Sequence, residues 1–215
     1  MIFETRYKAW EYLSTFIRNK IHDLSNTVIV WILKWWLPVT YQVSQDLNIP
    51  STFVVAKKLI YNNTTFWVIT QWWIKLYNKS IIAKLWLSEY DVKDIEKQTY
   101  DECKYEKEKY WLFYNDFQWK QVIVIDDWIY SWFSAVAVAK QLKEQWASRL
   151  ILAIPVSNNQ ILSKLQTFYD EIVCVEPIED RNFALSKYYM SYYKLIWEDV
   201  NELFYKMKEK ELFLQ

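Results

Sequence analysis

The chain contains no glycine, although it has 215 residues, and 14 of its residues are tryptophan. An ordinary domain has about 7% glycine, or roughly 15 residues at this length, because turns with positive φ and close ligand contacts require it. We therefore hypothesise that most or all tryptophans occupy glycine positions, either through a UGA codon that some lineages read as glycine or through deliberate substitution. The alternative is a genuinely tryptophan-rich protein. Tryptophan occurs where such loops are expected, at Trp35, Trp36, Trp72, Trp73, Trp128, Trp132 and Trp146.

Five short apolar runs are typical of strands that are buried on both faces of a parallel sheet. They are Thr27–Ile32, Thr52–Ala56, Gln121–Ile125, Leu150–Val156 and Glu171–Val175. The segments that precede or separate them have helical character, at Phe3–His22, Pro38–Asp46, Phe133–Gln145 and Asn159–Phe168. Strands that alternate with helices indicate βαβ units with right-handed crossovers. The sequence therefore predicts an α/β fold with one open, mainly parallel five-stranded sheet and helices on both faces.

One long segment does not follow this alternation. Residues from about 60 to 88 combine turn residues with a β-rich run and predict a hairpin or a small sheet. Ser88–Lys109 is dense in charges of both signs and predicts a solvated helix. We therefore expect a single domain, residues 1–215, with an inserted lobe at 58–118.

Charge and composition exclude several classes of partner. Lysine plus arginine and aspartate plus glutamate each total 26, whereas nucleic acid and anionic membrane surfaces select for a basic excess. No apolar run approaches the roughly 18 residues of a membrane span, and the N-terminus lacks the apolar core of a signal peptide. The two cysteines, Cys103 and Cys174, lack the spacing of a metal site. We therefore expect a cytoplasmic protein that binds neither nucleic acid nor a membrane.

A hydrophobic strand that ends in two acids gives the clearest functional signal. Val122–Ile125 is followed by Asp126 and Asp127, then by a short loop with hydroxyl groups and the start of a helix at Phe133. Backbone N–H groups in such a loop and at a helix N-terminus bind anions. Carboxylates instead suit ribose hydroxyls or a Mg²⁺ ion. The pattern predicts a site for a phosphorylated sugar, and a helix cap at the two acids is the plainer alternative.

With Trp128 and Trp132 taken as glycine, this segment resembles the motif by which type I phosphoribosyltransferases bind 5-phosphoribosyl 1-diphosphate (PRPP). That motif is a hydrophobic strand, two acids, glycine, two variable residues, threonine or serine, glycine, and a small residue or threonine. Leu33–Val39, Val55–Leu59 and Ala153–Val156 are similar to segments of a predicted bacterial branch of the family. The resemblance covers nearly the whole chain and implies the type I phosphoribosyltransferase fold.

The resemblance also implies a role for each site residue. Asp126 and Asp127 would contact the ribose hydroxyls, stabilise positive charge on the sugar and hold Mg²⁺, in part through water. The 5-phosphate would be wrapped by Trp128, Ile129, Tyr130, Ser131, Trp132, Phe133 and Ser134. The pyrophosphate would be held by Lys34, Trp35, Trp36 and one of the two lysines Lys57 and Lys58. Literal tryptophans in these loops would fill the space that phosphate needs.

The resemblance implies a Mg²⁺-dependent enzyme that transfers the phosphoribosyl group from PRPP to a nitrogen nucleophile and releases pyrophosphate. Its partners would be PRPP, an unidentified nitrogenous acceptor and a second copy of the chain in a homodimer. A flexible lid within the 58–118 lobe would shield the sugar intermediate from water. Two alternatives stay open. One is a non-catalytic regulator that binds PRPP or a nucleotide on the same fold, and the other is an oligomerising α/β protein whose site is inactive because the tryptophans are literal.

Overall fold

The computed structural model describes residues 2–32, 37–109, 116–126, 128–129, 132–179, 185–191 and 197–214. The strands are β1 (Phe3–Thr5), β2 (Thr27–Ile32), β3 (Ser51–Val54), β4 (Ala56–Tyr61), β5 (Thr64–Thr70), β6 (Lys75–Tyr77), β7 (Gln121–Ile125), β8 (Trp128–Ile129), β9 (Arg149–Asn158), β10 (Glu171–Ile178) and β11 (Tyr189–Ser191). The helices are α1 (Arg6–Lys20), α2 (Leu37–Leu47), α3 (Lys79–Lys84), α4 (Glu89–Lys109), α5 (Trp132–Glu144), α6 (Asn159–Leu165) and α7 (Trp197–Glu209), with a 3₁₀ turn at Leu185–Tyr188.

The central sheet contains the five predicted strands, all parallel, in the order β10-β9-β7-β2-β3. The predicted open parallel sheet is therefore confirmed, and β2 and β7 have the predicted bounds. Three of the predicted strands have other bounds: β9 and β10 extend past their predicted ends to Asn158 and Ile178, and one predicted run is divided. The run Thr52–Ala56 is divided, because β3 ends at Val54 and Ala56 begins β4, where it pairs antiparallel with Thr70.

Helices cover both faces of this sheet, as the sequence predicts. Alternate residues of β2 and β7 point to opposite faces, so that Ile29 and Ile123 pack with α1 and α2, whereas Val28 and Val122 pack with α5 and α6. The strands are thus apolar on both sides, which accounts for their unbroken hydrophobic runs. Helices α2 and α5 thus lie on opposite faces. After β2 the chain continues to β3 on one side of the β2–β7 pair, and after β7 it continues to β9 on the other side.

A second, antiparallel sheet has the order β4-β5-β6 and lies between two helices. Leu59 and Ile69 belong to a cluster that includes Cys103 of α4, whereas Ala56 and Val68 pack in the cluster that contains α5. The predicted small sheet is confirmed, but it spans residues 56–77 rather than about 60–88, because Lys79–Lys84 forms α3. Helix α4 matches the predicted charged helix to within one residue at its start. The description of residues 58–118 as an inserted lobe with a lid stays a prediction.

Two chain ends are held by pairings between residues far apart in sequence. The predicted opening helix begins at Arg6 rather than Phe3, because Phe3–Thr5 forms β1 and pairs parallel with β11. The Thr5 hydroxyl caps the helix by accepting the Lys8 N–H at 3.2 Å. Near the C-terminus, Ser51 bonds through its N–H to Leu212 and through its carbonyl to the Leu214 N–H. No helix in the described part of the chain is long and apolar enough to cross a bilayer.

Candidate functional site

The candidate site is the edge of the sheet at the carboxyl ends of β2 and β7. The two strands are hydrogen-bonded neighbours, with Trp31 opposite Ile125 in the last pair. From this point the chain leaves β2 towards α2 and β3 on one side, and leaves β7 towards α5 and β9 on the other. In open α/β sheets ligands bind where the strand order reverses in this way. The topology therefore brings the last residues of β2 and β7, Ile32 and Ile125, to one binding edge.

Asp126 lies directly after β7 at this edge and is half-buried. Its N–H donates to the Ala153 carbonyl of β9 at 3.3 Å, which fixes the main chain where the strand ends. Of the two predicted acids, Asp126 is described by the structure, and Asp127 lies outside the described residues. The carboxylate is thus carried by backbone that is anchored to the central sheet.

The loop after Asp126 is anchored by a short strand. Trp128 and Ile129 form β8 and pair parallel with Val156 and Ser157 of β9. Ile129 is 2% exposed and packs in the core, so this predicted phosphate residue contributes backbone rather than side chain to the loop. Tyr130 and Ser131 lie outside the described residues.

Helix α5 begins at Trp132, at the end of this loop, and runs for 13 residues. Its first turn contains no acidic residue, so the unpaired N–H groups and the positive end of the helix dipole are favourable to an anion. Trp132 stacks on Phe133 with ring centroids 4.2 Å apart, and Ser134 is half-buried in the same turn. The three predicted residues Trp132, Phe133 and Ser134 therefore form one helix start.

Tyr169 holds this helix start in place, although nothing in the sequence pattern marked it. Its hydroxyl donates to the Ala135 carbonyl of α5 at 2.8 Å in a buried contact. Burial, and to a smaller extent the Asp126 carboxylate, raises the pKa of Tyr169, so the hydroxyl stays a donor at neutral pH. Tyr169 is thus a positioning residue between the end of β7 and the first turn of α5.

The two adjacent lysines of β4 point to opposite faces of the antiparallel sheet. Lys57 lies on the α4 face, where its Nζ is 2.8 Å from both Glu102 and Glu106. Burial lowers the pKa of Lys57, but the hydrogen bonds to the two carboxylates outweigh it and leave the pKa above its ordinary value. Lys58 is exposed on the face that packs against α5, and among the described residues it has no ion pair.

The predicted pyrophosphate loop, Lys34, Trp35 and Trp36, lies outside the described residues. Its flanks are described: Ile32 ends β2 at the binding edge, and Leu37 begins α2 with a buried side chain. Ile32, the last residue of β2, lies at the same edge of the sheet as Asp126. Whether its backbone is shaped for pyrophosphate stays a prediction.

Among the described residues, this edge offers too few ligands for a magnesium ion unless a bound ligand supplies others. The described residues contain no group of three or more metal-ligating side chains. Mg²⁺ is commonly held by one or two carboxylates together with substrate phosphates and water, and Asp126 supplies one such carboxylate. The two cysteines lie elsewhere, Cys103 in α4 and Cys174 in β10, and burial raises the pKa of both thiols to about 12.

If the four site tryptophans stand at glycine positions, we expect at least some of them to have positive φ or to lie next to the space for phosphate, and the two that are described do not have positive φ. Positive φ values occur elsewhere among the described residues, but Trp128 and Trp132 are not among them. The physical reason is local, because Trp128 is extended in β8 and Trp132 has entered the first turn of α5. For Trp35 and Trp36 the prediction falls outside the described residues.

Comparison with known proteins supports the fold. TT1426 from Thermus thermophilus matches with a TM-score of 0.77 and 16% identity, over 96% of this chain and 99% of that one. AQ2163 from Aquifex aeolicus matches with a TM-score of 0.50 and 8% identity, over 83% of this chain and 76% of that one. The hypoxanthine-guanine phosphoribosyltransferase of L. donovani gives a weaker match, with a TM-score of 0.49 and 9% identity, over 89% of this chain and 95% of that one.

No family model matches the chain, and no curated protein does so either. The similarity to TT1426 and AQ2163 supports the fold alone, an α/β domain with a mainly parallel sheet. The fold predicted from the resemblance to type I phosphoribosyltransferases is confirmed at this level.

Proposed function

We propose that the chain is a phosphoribosyltransferase that transfers the phosphoribosyl group of PRPP to a nitrogen nucleophile. The observation that carries the proposal is the reversal of strand order at the carboxyl ends of β2 and β7, where Asp126 and the acid-free first turn of α5 lie at the two ends of one short loop. An anion-binding helix start next to a carboxylate fits a sugar phosphate. In the reaction the bond from the sugar C1 to pyrophosphate breaks, a bond from C1 to nitrogen forms, and the nitrogen loses a proton.

Each part of the site has a separate task in this proposal. The backbone N–H groups of the loop and of the first turn of α5 bind the 5-phosphate, and Tyr169 keeps that turn in position. Asp126, together with Asp127, binds the ribose hydroxyls and stabilises the positive charge that develops on the sugar as pyrophosphate leaves. Mg²⁺, when bound with PRPP, neutralises charge on the diphosphate. Positioning and charge stabilisation then account for most of the rate enhancement.

Of the two lysines, we assign the diphosphate contact to Lys58. Lys57 is held by two carboxylates of α4, and moving it would leave Glu102 and Glu106 without their cation. Lys58 lies on the face towards α5 and has a free ammonium group within the described part of the chain. It can therefore turn to an anionic ligand without breaking an ion pair.

We expect Lys58→Met, made in the protein with glycine at the 14 tryptophan positions, to weaken PRPP binding by about tenfold, since hydrogen bonds to charged groups contribute ~1.5–3 kcal/mol. Isothermal titration calorimetry measures the affinity. Lys57→Met is the matched control and should lower the melting temperature while changing PRPP affinity less. A greater loss of affinity in Lys57→Met, measured where both variants are folded, would reverse the assignment of the two lysines.

The test of the proposed function is turnover of PRPP and Mg²⁺ with a panel of purine bases, pyrimidine bases and small amines, followed by release of pyrophosphate. We expect at least one acceptor to give turnover. Binding of PRPP without turnover on any acceptor supports the regulator instead, and no binding contradicts both hypotheses. Hydrogen exchange in the same samples should slow in part of residues 59–118 if a lid lies there, and unchanged exchange would place the lid elsewhere.

A further inference from the structure

Nine described residues have positive φ, although none is glycine. Asparagine tolerates this left-handed region because its short side chain bonds locally, and it occupies Asn26, Asn48, Asn62 and Asn63. Four others are tryptophan: Trp73 (φ 67°), Trp86 (φ 53°), Trp119 (φ 61°) and Trp146 (φ 63°). The last is Glu211. A bulky residue at positive φ is a genuine outlier, so four of them in one chain require an explanation.

Two of these tryptophans end helices in the position that glycine ordinarily takes. Trp146 follows α5, its N–H donates to the Lys143 carbonyl at 3.1 Å, and the Ala147 N–H donates to Leu142 at 3.1 Å. Trp86 follows α3 with the same pair of bonds. Its N–H donates to the Ala83 carbonyl at 3.2 Å, and the Leu87 N–H donates to the Ile82 carbonyl at 3.4 Å. This is the Schellman arrangement, whose left-handed residue is usually glycine.

The other two lie in turns that demand glycine. Trp73 is the third residue of a three-residue hairpin loop, closed by the bonds from Trp73 N–H to Thr70 and from Thr70 N–H to Ile74. The third position of such loops is left-handed and takes glycine. Trp119 is the third residue of the turn that the Lys120 N–H closes on Phe117 at 3.0 Å. Positive φ at that position alone defines a type II turn, which requires glycine or asparagine there.

The burial of the side chains does not explain tryptophan at these four positions. Trp73, Trp86, Trp119 and Trp146 are 43%, 91%, 66% and 68% exposed. A tryptophan that is retained for stability buries most of its large apolar area. The indoles of Trp86, Trp119 and Trp146 lie largely in solvent, so burial does not offset the cost of the left-handed backbone. Trp73 contacts Tyr100, with ring centroids 4.0 Å apart, and Lys75, but it too is only partly buried.

Two buried tryptophans, Trp10 and Trp67, are also poorly accommodated, whereas Trp31 packs in the core at ordinary ring distances. The indole nitrogens of Trp10 and Trp67 are buried without a hydrogen-bond partner among the described residues, whereas buried indole N–H groups usually find one. The Trp67 ring lies with its centroid 3.2 Å from that of Tyr77, closer than the roughly 4.5–7 Å that aromatic pairs prefer. A smaller residue without an N–H donor in its side chain would remove both problems.

We propose that the natural residue at each of the 14 tryptophan positions is glycine. A UGA codon that is read as glycine in some lineages and as tryptophan in others explains three observations together. They are the tryptophans with positive φ, the buried indole nitrogens without a hydrogen-bond partner, and the complete lack of glycine. The count agrees as well, because 14 glycines are close to the roughly 15 expected for an ordinary domain of this length. The proposal stands on backbone geometry and is independent of the proposed function.

The direct test is the protein isolated from its natural source. Intact mass spectrometry should show a protein lighter than the written chain by 14 times the mass difference between tryptophan and glycine. Sequencing of the tryptic peptide Glu144–Arg149 should give glycine at position 146. Tryptophan at position 146 in that peptide, or an intact mass equal to that of the written chain, would overturn the proposal.

A second test uses variants of the written chain and does not need the natural source. At Trp86 and Trp146 the glycine variant should melt roughly 2–4 °C above the alanine variant, because alanine removes the indole but keeps the Cβ that penalises positive φ. Trp72 is the matched control, since it adjoins Trp73 in the same loop without positive φ, and alanine there should be at least as stable as glycine. Alanine variants at Trp86 and Trp146 that melt at or above their glycine counterparts contradict the assignment of these positions to glycine.

Discussion

A chain with glycine at all 14 tryptophan positions is expected to bind PRPP at least about 100-fold more tightly than the chain as written, a difference of ~2.7 kcal/mol. In the written chain the Trp132 indole stacks on Phe133 at the start of α5, where the 5-phosphate is proposed to bind. Glycine at Trp128 and Trp132 would let the phosphate reach the backbone N–H groups that the helix start leaves unpaired. Isothermal titration calorimetry with PRPP and Mg²⁺ measures the difference.

The control for this experiment separates the shape of the site from general stability. Trp119 and Trp146 lie just before β7 and β9, at the amino ends of these strands. They are therefore at the opposite end of the sheet from the candidate site. Trp119→Gly and Trp146→Gly together should raise the melting temperature and leave PRPP affinity nearly unchanged. Equal PRPP affinity in the written chain and the all-glycine chain would mean that the indoles do not obstruct the phosphate, and our account of the loop would fail.

The second large effect concerns Asp126. Asp126→Asn in the glycine-containing protein should lower kcat/KM for PRPP at least about tenfold, or ~1.4 kcal/mol of transition-state stabilisation. Asparagine keeps the shape and the N–H bond to Ala153 but lacks the charge that stabilises the sugar cation. Most of the loss should fall on kcat, because the positive charge develops only as pyrophosphate leaves. Steady-state kinetics of pyrophosphate release measures both constants.

Asp23 is the matched control for this substitution. It precedes β2 at the amino end of the sheet, where its carboxylate accepts the Ser25 N–H at 2.8 Å. Asp23→Asn therefore removes the same charge at the opposite end of the strands and should leave turnover unchanged. Equal kinetics in Asp126→Asn and the unsubstituted protein would remove this acid from the mechanism.

The central sheet could be predicted from the sequence because its signal is local. A strand that is buried on both faces must be apolar at every position, so β2 and β7 are visible as unbroken runs. Pairings between distant residues leave no such local mark. The strand β1 exists because Phe3 and Thr5 lie opposite Tyr189 and Ser191, nearly the whole chain away, and each partner alone is too short to indicate a strand.

The candidate site was predictable in part for the same reason. Asp126 and the start of α5 follow a strand in sequence, so their proximity is a property of one loop. The contact of Tyr169 with Ala135 joins two segments that are 34 residues apart, and no residue pattern announces it. Likewise the sequence shows two equivalent lysines, and only the packing of α4 against β4 distinguishes Lys57 from Lys58.

Which of the two lysines faces α4 and which faces α5 depends on the alternation of side chains along the single strand β4. Successive side chains of β4 alternate between α4 and α5, so inserting or deleting one residue before Lys57 would exchange the environments of the two ammonium groups. The irregularity in β4 falls after the pair, between Leu59 and Ile60, and leaves that alternation intact. Homologous chains should therefore tolerate length changes beyond Leu59 far better than between Val54 and Lys57.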